Sequence, residues 1–312
     1  MVMKRSTLAR SAAVASIAVA LLLVALKTWA SWRTGSTAML GSLADSALDL
    51  VASLATLVGV WFAAQPADRE HRFGHGKAEA LAAMVQVVLI AISATAIIFR
   101  AVMRLVEGGE TAAASEGIAV STIAIVATFA LLAWQRVVIA RTGSVAINAD
   151  HVHYQSDLLL NLAVIAALAL DQYAGFGLAD PLFGLAIGAW LLWGAWSAAS
   201  TAVDQLLDRE WPDAKREAFV AAAARHPELS NLHDLRTRTS GTQDFVQFHV
   251  DLPGSMTVEE AHDVIERVEA DLCGQFPEME LLIHIDPAGH VDDPGNALVE
   301  ENEFDRLGGA TP

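Results

Sequence analysis

Between residues 12 and 200 the apolar residues gather in blocks of about 20, the helix length that crosses a ~30 Å hydrocarbon layer. Backbone polar groups in hydrocarbon must be satisfied within their own segment, so such blocks are read as helices. The pattern predicts six spans, at about 12–31, 38–64, 79–103, 117–140, 145–170 and 178–200. The chain is 54% hydrophobic and only 18% charged, and its mean hydropathy is +0.41. A soluble chain would be about a quarter charged. The excess ends near residue 205, where the sequence turns polar.

Lys4, Arg5 and Arg10 before the first apolar run imitate a signal peptide. The run carries Lys27, lacks a small-residue cleavage site and is followed by more spans, so it reads as the first transmembrane helix. Lys4, Arg5, Arg10, Arg69, Arg72, Lys77, Arg136 and Arg141 fall on one side, against Lys27, Arg33, Arg100 and Arg104 on the other. This bias predicts both termini in the cytoplasm. Much of the acid behind the net charge of −16 lies after residue 207, and no basic stripe suggests nucleic acid as a partner. The single cysteine, Cys273, rules out an internal disulfide and reads as a small buried apolar residue.

The polar C-terminal part has a readable order. DAKREAFVAAAARHP has helical periodicity, beginning at Pro212 or Asp213. NLHDLRTRTSG and DFVQFHVDL alternate like strands about a turn. TVEEAHDVIERVEADLCG follows, with Thr257 and Glu260 at capping-box spacing, and MELLIHIDPAG is a last strand. Helix–strand–strand–helix–strand predicts a small α+β domain with its helices on one face of the sheet. The expected organisation is a six-span domain over 1–207, the α+β domain over 208–290 and an acidic, disordered tail over 291–312.

Within this frame the second span reads SLADSALDL. Asp45 and Asp49 are four apart, on one helix face. A carboxylate at the middle of a membrane helix costs roughly 2.5–3.5 kcal/mol on insertion scales. The fifth span, NADHVHYQSDLLLNLAV, carries His153 and Asp157, also four apart. No lysine or arginine stands in the middle of a span to neutralise these acids, so a cation or protons must. Three carboxylates and one imidazole suit a four-coordinate divalent ion: Zn2+, or equally Fe2+, Mn2+, Co2+ or Cd2+. Asp150 and His151, one turn earlier, read as a polar helix start, the lining of an approach path being the other reading. Asp68, His71 and His75 share a short loop at three- and four-residue spacing, a second candidate metal site. The C-terminal part offers His233, His249, His262, His284 and Asp286; on a strand His284 and Asp286 point to one face.

The motifs DSALD, HVHYQSD and DREHRFGHGKAE resemble those of the cation diffusion facilitators, in particular their bacterial FieF (YiiP)-type branch of zinc and iron efflux transporters. The resemblance runs from the first span to about residue 290. It implies a homodimer in the bacterial inner membrane, six spans per protomer and a cytoplasmic, ferredoxin-like (αββαβ) metallochaperone-like domain. It implies exchange of divalent metal for protons by alternating access. Asp45, Asp49, His153 and Asp157 match the family's transport site, and Asp68, His71 and His75 its second site. The five C-terminal ligands match its binuclear cytoplasmic site, with Asp286 bridging. Lys77 and Asp208 match a pair that joins two protomers. No enzyme activity is expected. A metalloenzyme would need a nucleophile or general base beside the intramembrane ligands. A membrane-anchored metal sensor or buffer without transport is the alternative, although it would need no acid pairs on two spans.

Overall fold

The computed structural model describes residues 5–34, 37–107, 118–176, 178–289 and 302–309. The chain divides into two compact units, Met1–Asp204 and Gln205–Pro312.

The first unit is built from α1 (Arg5–Thr34), α2 (Thr37–Ala63), α3 (Ala78–Glu107), α4 (Ile118–Thr142), α5 (Val145–Ala174) and α6 (Ala179–Leu206), one for each expected span. Five of them are long and apolar enough to cross a membrane by composition alone. The remaining helix, α5, is 30 residues long but spends its first half on Asp150, His151, His153, Gln155 and Asp157. Small residues let the helices approach closely: a Cβ added at Gly59 of α2 would lie 2.3 Å from the Ala82 Cβ of α3. Asp180, beside Pro181 in the first turn of α6, pairs with Arg104 at the end of α3.

The second unit begins with α7 (Asp213–Ala223), then β1 (Ser230–Ser240), β2 (Gln243–Leu252), α8 (Val258–Gln275) and β3 (Met279–Pro287). Thr257 and Glu260 form the capping box that their spacing predicts: Thr257 Oγ1 accepts from the Glu260 N–H at 3.2 Å, and Glu260 Oε2 from the Thr257 N–H at 2.8 Å. The sheet order is β1-β2-β3, antiparallel between β1 and β2, parallel between β2 and β3. The crossover helix between parallel strands is α8. Val246, Phe248 and Val250 of β2, with Leu281 of β3, join Phe219 and Val220 of α7 and Val264, Val268 and Leu272 of α8 in one core. The alternate residues of β2 and β3 carry the candidate ligands, so helices take one face and ligands the other.

Two expectations need correction here. Cys273 is only partly buried, its Sγ 3.9 Å from the Met279 carbonyl, and this burial pushes its thiol pKa up. Of the tail expected to be disordered, residues 303–309 form a helix, α9 (Glu303–Gly309). Glu303 is buried, pairs with Arg216 of α7, and Phe304 packs on the core. The acidic composition hid one apolar side chain and one acid with a basic partner. Residues 290–301 and 310–312 of that tail lie outside the described residues.

Candidate functional site

Three groups of carboxylates and imidazoles each bring their ligand atoms within 4.8 Å of one another among the described residues: Asp49, His153 and Asp157; Asp68, His71 and His75; and His233, His249 and Asp286.

The first lies inside the helix bundle. Helical spacing aims His153 and Asp157 along one face of α5, toward Asp49 on α2. His153 Nε2 stands 3.0 Å from Asp49 Oδ1 and 4.0 Å from Asp157 Oδ2, so one imidazole faces two carboxylates. Asp45 is a departure from expectation. One turn before Asp49, it is exposed and outside the group that closes within 4.8 Å. The absence of a basic neighbour also needs correction. Lys27, near the end of α1, donates to Ser46 Oγ at 2.6 Å, and Ser46 sits between the two aspartates of α2. An α1 lysine thus reaches the acid-bearing helix, which sequence position alone concealed.

Asp150 is not a polar helix start. It is fully buried, held by Ser16, Gln86 and Gln135 from three other helices. His151 Nδ1 lies 3.1 Å from Gln135 Oε1. Each partner is one polar residue in an apolar span, a pattern common to helix–helix hydrogen bonds; their convergence had no linear signal.

In the loop, Asp68 Oδ1 accepts from the backbone N–H groups of His71 at 2.7 Å and Glu70 at 2.8 Å. The His71 N–H is the larger cause holding the Asp68 carboxyl below its usual range, ahead of the opposing desolvation and the Glu70 N–H. His71 Nδ1 is 3.4 Å from Asp68 Oδ1, and His75 Nε2 is 3.3 Å from Asp68 Oδ2. His75 is buried edge-on to Phe62, and its Nδ1 has no hydrogen-bond partner among the described residues.

On the sheet, register assembles the third group. His233 of β1 pairs with His249 of β2, which pairs with His284 of β3. Asp286 touches all three: its Oδ2 is 3.0 Å from His249 Nδ1 and 3.6 Å from His233 Nε2, and its Oδ1 is 3.4 Å from His284 Nε2. The His233 Nδ1–H donates to the Asn231 carbonyl at 2.6 Å, which makes Nε2, on the Asp286 side, the nitrogen that can accept or ligate. His284, 63% exposed, is at the margin. His262 is not brought in. It is 66% exposed on α8 with Nε2 3.4 Å from Glu266, because α8 turns Val264, Val268 and Leu272 to the sheet and His262 away. Sequence reasoning missed Asp234, whose Oδ2 lies 3.7 Å from His249 Nε2. Its positive φ of 48° and the register shifts on either side of His233 aim it there. Asp208, expected to meet Lys77 across a dimer, lies 3.5 Å from Arg238 in its own unit.

Residues 13–207 match the family model described as the cation efflux transmembrane domain, and residues 211–288 that of the cation efflux protein, cytoplasmic domain. The chain is 42% identical over 280 residues to the cation-efflux pump FieF of Cronobacter sakazakii, covering 90% of this chain and 93% of the relative. It is 42% identical over 296 residues to the cation-efflux pump FieF of Pectobacterium atrosepticum, covering 95% and 96%. The solved metal-bound C-terminal domain of the CzcD transporter from Thermotoga maritima matches 26% of this chain and 100% of its own length, at 24% identity and a TM-score of 0.25.

Proposed function

The chain belongs to the cation efflux family, membrane proteins that export divalent cations, and from that premise we propose that it exchanges Zn2+ for protons by alternating access. Fe2+, Cd2+, Co2+ and Mn2+ are the other substrates its ligand types accept. The carrying observation is the group Asp49, His153 and Asp157, two carboxylates and an imidazole within 4.8 Å inside a helix bundle. Asp45 completes the set in the state that holds the cation.

The chemistry supports exchange. A metal ligand must be unprotonated, so loading the site with M2+ displaces protons and unloading it takes them back. His153 is the carrier of choice, since an imidazole changes charge near physiological pH. Empty carboxylates at membrane depth are costly, so the site crosses occupied by metal or by protons, and the helices rearrange around it.

The working unit is a homodimer in the bacterial inner membrane with both termini in the cytoplasm, joined in part through Lys77 and Asp208. Asp68, His71 and His75 form a weaker loop site, completed by water. His233, His249, His284 and Asp286 bind two cations with Asp286 bridging, and His262 joins them only after a movement of α8.

Uptake of Zn2+ into proteoliposomes with a pH-sensitive dye inside tests the reading. Zn2+ entry with outward proton flux, lost in Asp49→Ala, supports it. Transport indifferent to an imposed pH gradient rules out exchange. No flux of any of the five cations, with metal still bound at the sheet, leaves the membrane-anchored sensor.

A further inference from the structure

Asp150 carries a carboxylate that the transport chemistry does not use. It is 0% exposed, as are Ser16, Ser53, Gln86, Gln135 and Tyr154 around it. Its Oδ2 accepts from Ser16 Oγ of α1 at 2.6 Å and from Gln135 Nε2 of α4 at 2.9 Å. Its Oδ1 accepts from Gln86 Nε2 of α3 at 3.0 Å. One turn on, the Tyr154 hydroxyl donates to the Ser16 carbonyl at 3.1 Å and lies 2.9 Å from Ser53 Oγ of α2. Five helices therefore meet around one acid.

The position of this junction matters. Asp150 precedes His153 and Asp157 on the same face of α5, toward the α4–α5 connection. Ser53 follows Asp49 on α2 by one turn, so the junction lies on the α2–α3 loop side of the cation cluster. Exposure rises in the opposite direction: Asp150 is fully buried, the His153 side chain is 9% exposed, Asp49 14%, Asp157 32%, and Asp45 is exposed. Burial is therefore complete on the α2–α3 loop side of the cluster and falls off away from it.

A buried charge is tolerated only while its hydrogen bonds are complete, and here three donors come from three different helices. Sliding α5 against any one of them breaks the set, so the junction has two arrangements rather than a continuum. We propose that this junction is the closed gate on the α2–α3 loop side of the cation path, with Asp150 as its positioning residue. Asp150 holds α1, α3 and α4 against α5, and the junction must part before a cation can pass between the loop side and His153 and Asp157. The inference rests on the transport reading above.

A gate held shut leaves few molecules competent to bind from the loop side, and apparent affinity from that side falls by the competent fraction. Ser16→Ala removes one donor with the smallest change of shape; Asp150→Asn keeps the shape but turns an N–H toward donors. Zn2+ uptake is measured in vesicles sorted so that the α2–α3 loop faces the added metal. Both variants are expected to lower the half-saturating Zn2+ concentration and the maximal rate, each by about three- to tenfold, because opening becomes easier and reclosing harder. A merely structural role raises half-saturation as the rate falls. Unchanged or raised half-saturation in Ser16→Ala overturns the gate, and that variant decides if Asp150→Asn does not fold. A wild type that moves no Zn2+ overturns the transport reading instead.

Discussion

His153 Nε2 lies 3.0 Å from Asp49 Oδ1, a contact that joins α5 to α2 across 104 positions of sequence. Each helix brings its own pair of candidate ligands, yet only three of the four groups converge in the arrangement seen. The energetic weight of the four should therefore be unequal.

With the loop and sheet groups disabled by His71→Ala and His233→Ala, Asp49→Asn should weaken Zn2+ binding by at least about 100-fold. Asp45→Asn should cost less, about tenfold, because bringing Asp45 into the set requires the helices to move first, and that movement offsets part of what its carboxylate contributes. Competition with a zinc-chelating dye in detergent measures both. Equal losses would show that Asp45 belongs to the closed group.

On the sheet, Asp286 touches three imidazoles whereas His284 touches the group only at its edge. Asp286→Ala should abolish metal binding at this site in the intact chain, and His284→Ala should remove at most part of it. Counting metal per chain after dialysis, with the bundle carboxylate Asp49 replaced, separates the two outcomes. Retention of full stoichiometry in Asp286→Ala would refute the bridging role.

The α8 cap gives a prediction with a defined pH window. Thr257→Ala should speed amide exchange in the first turn of α8 about fivefold in the intact chain. The Thr257 backbone N–H, then its hydroxyl, holds the Glu260 carboxyl below the ordinary value of 4.5. The folded pKa being the lower one, the contribution of Glu260 is complete above about pH 4.5 and fades as pH falls through the folded value. The exchange difference between wild type and Glu260→Gln should therefore shrink on acidification, and growth of that difference would contradict the cap.

Close approach of α2 and α3 makes Gly59 intolerant of any side chain, since a Cβ there meets Ala82 Cβ at 2.3 Å. Gly59→Val should destabilise the bundle by about 1–3 kcal/mol, visible as a lower melting temperature in detergent. Among the described residues, nothing lies within 4 Å of a Cβ added at Gly274 of α8. Gly274→Ala should be neutral or slightly stabilising, as expected for an open helical position.

Much of this was readable from the chain because it rests on local pattern. The six long helices follow from block length, the three strands from alternation, and the α8 cap from Thr257 and Glu260. The pairing of His153 with Asp157 follows from helical spacing. What escaped is where long-range packing chooses among local possibilities. Ser16, Gln86 and Gln135 look like scattered polar residues until four helices bring them to Asp150. Asp234 needs the backbone irregularity around His233, and Lys27 needs the crossing of α1 with α2. His262 misleads in the other direction: its residue type suits a ligand, but the apolar stripe of α8 decides where it points.

The row His233–His249–His284 takes one residue from each strand of the sheet, in an antiparallel and a parallel ladder side by side. Side-chain direction alternates along a strand, so a slip of one position in either ladder would turn an imidazole to the helix-covered face. Asp286 would lose at least one of its partners at the same time. The cluster therefore exists only in the native alignment, and any cation it holds acts as a stitch through all three strands.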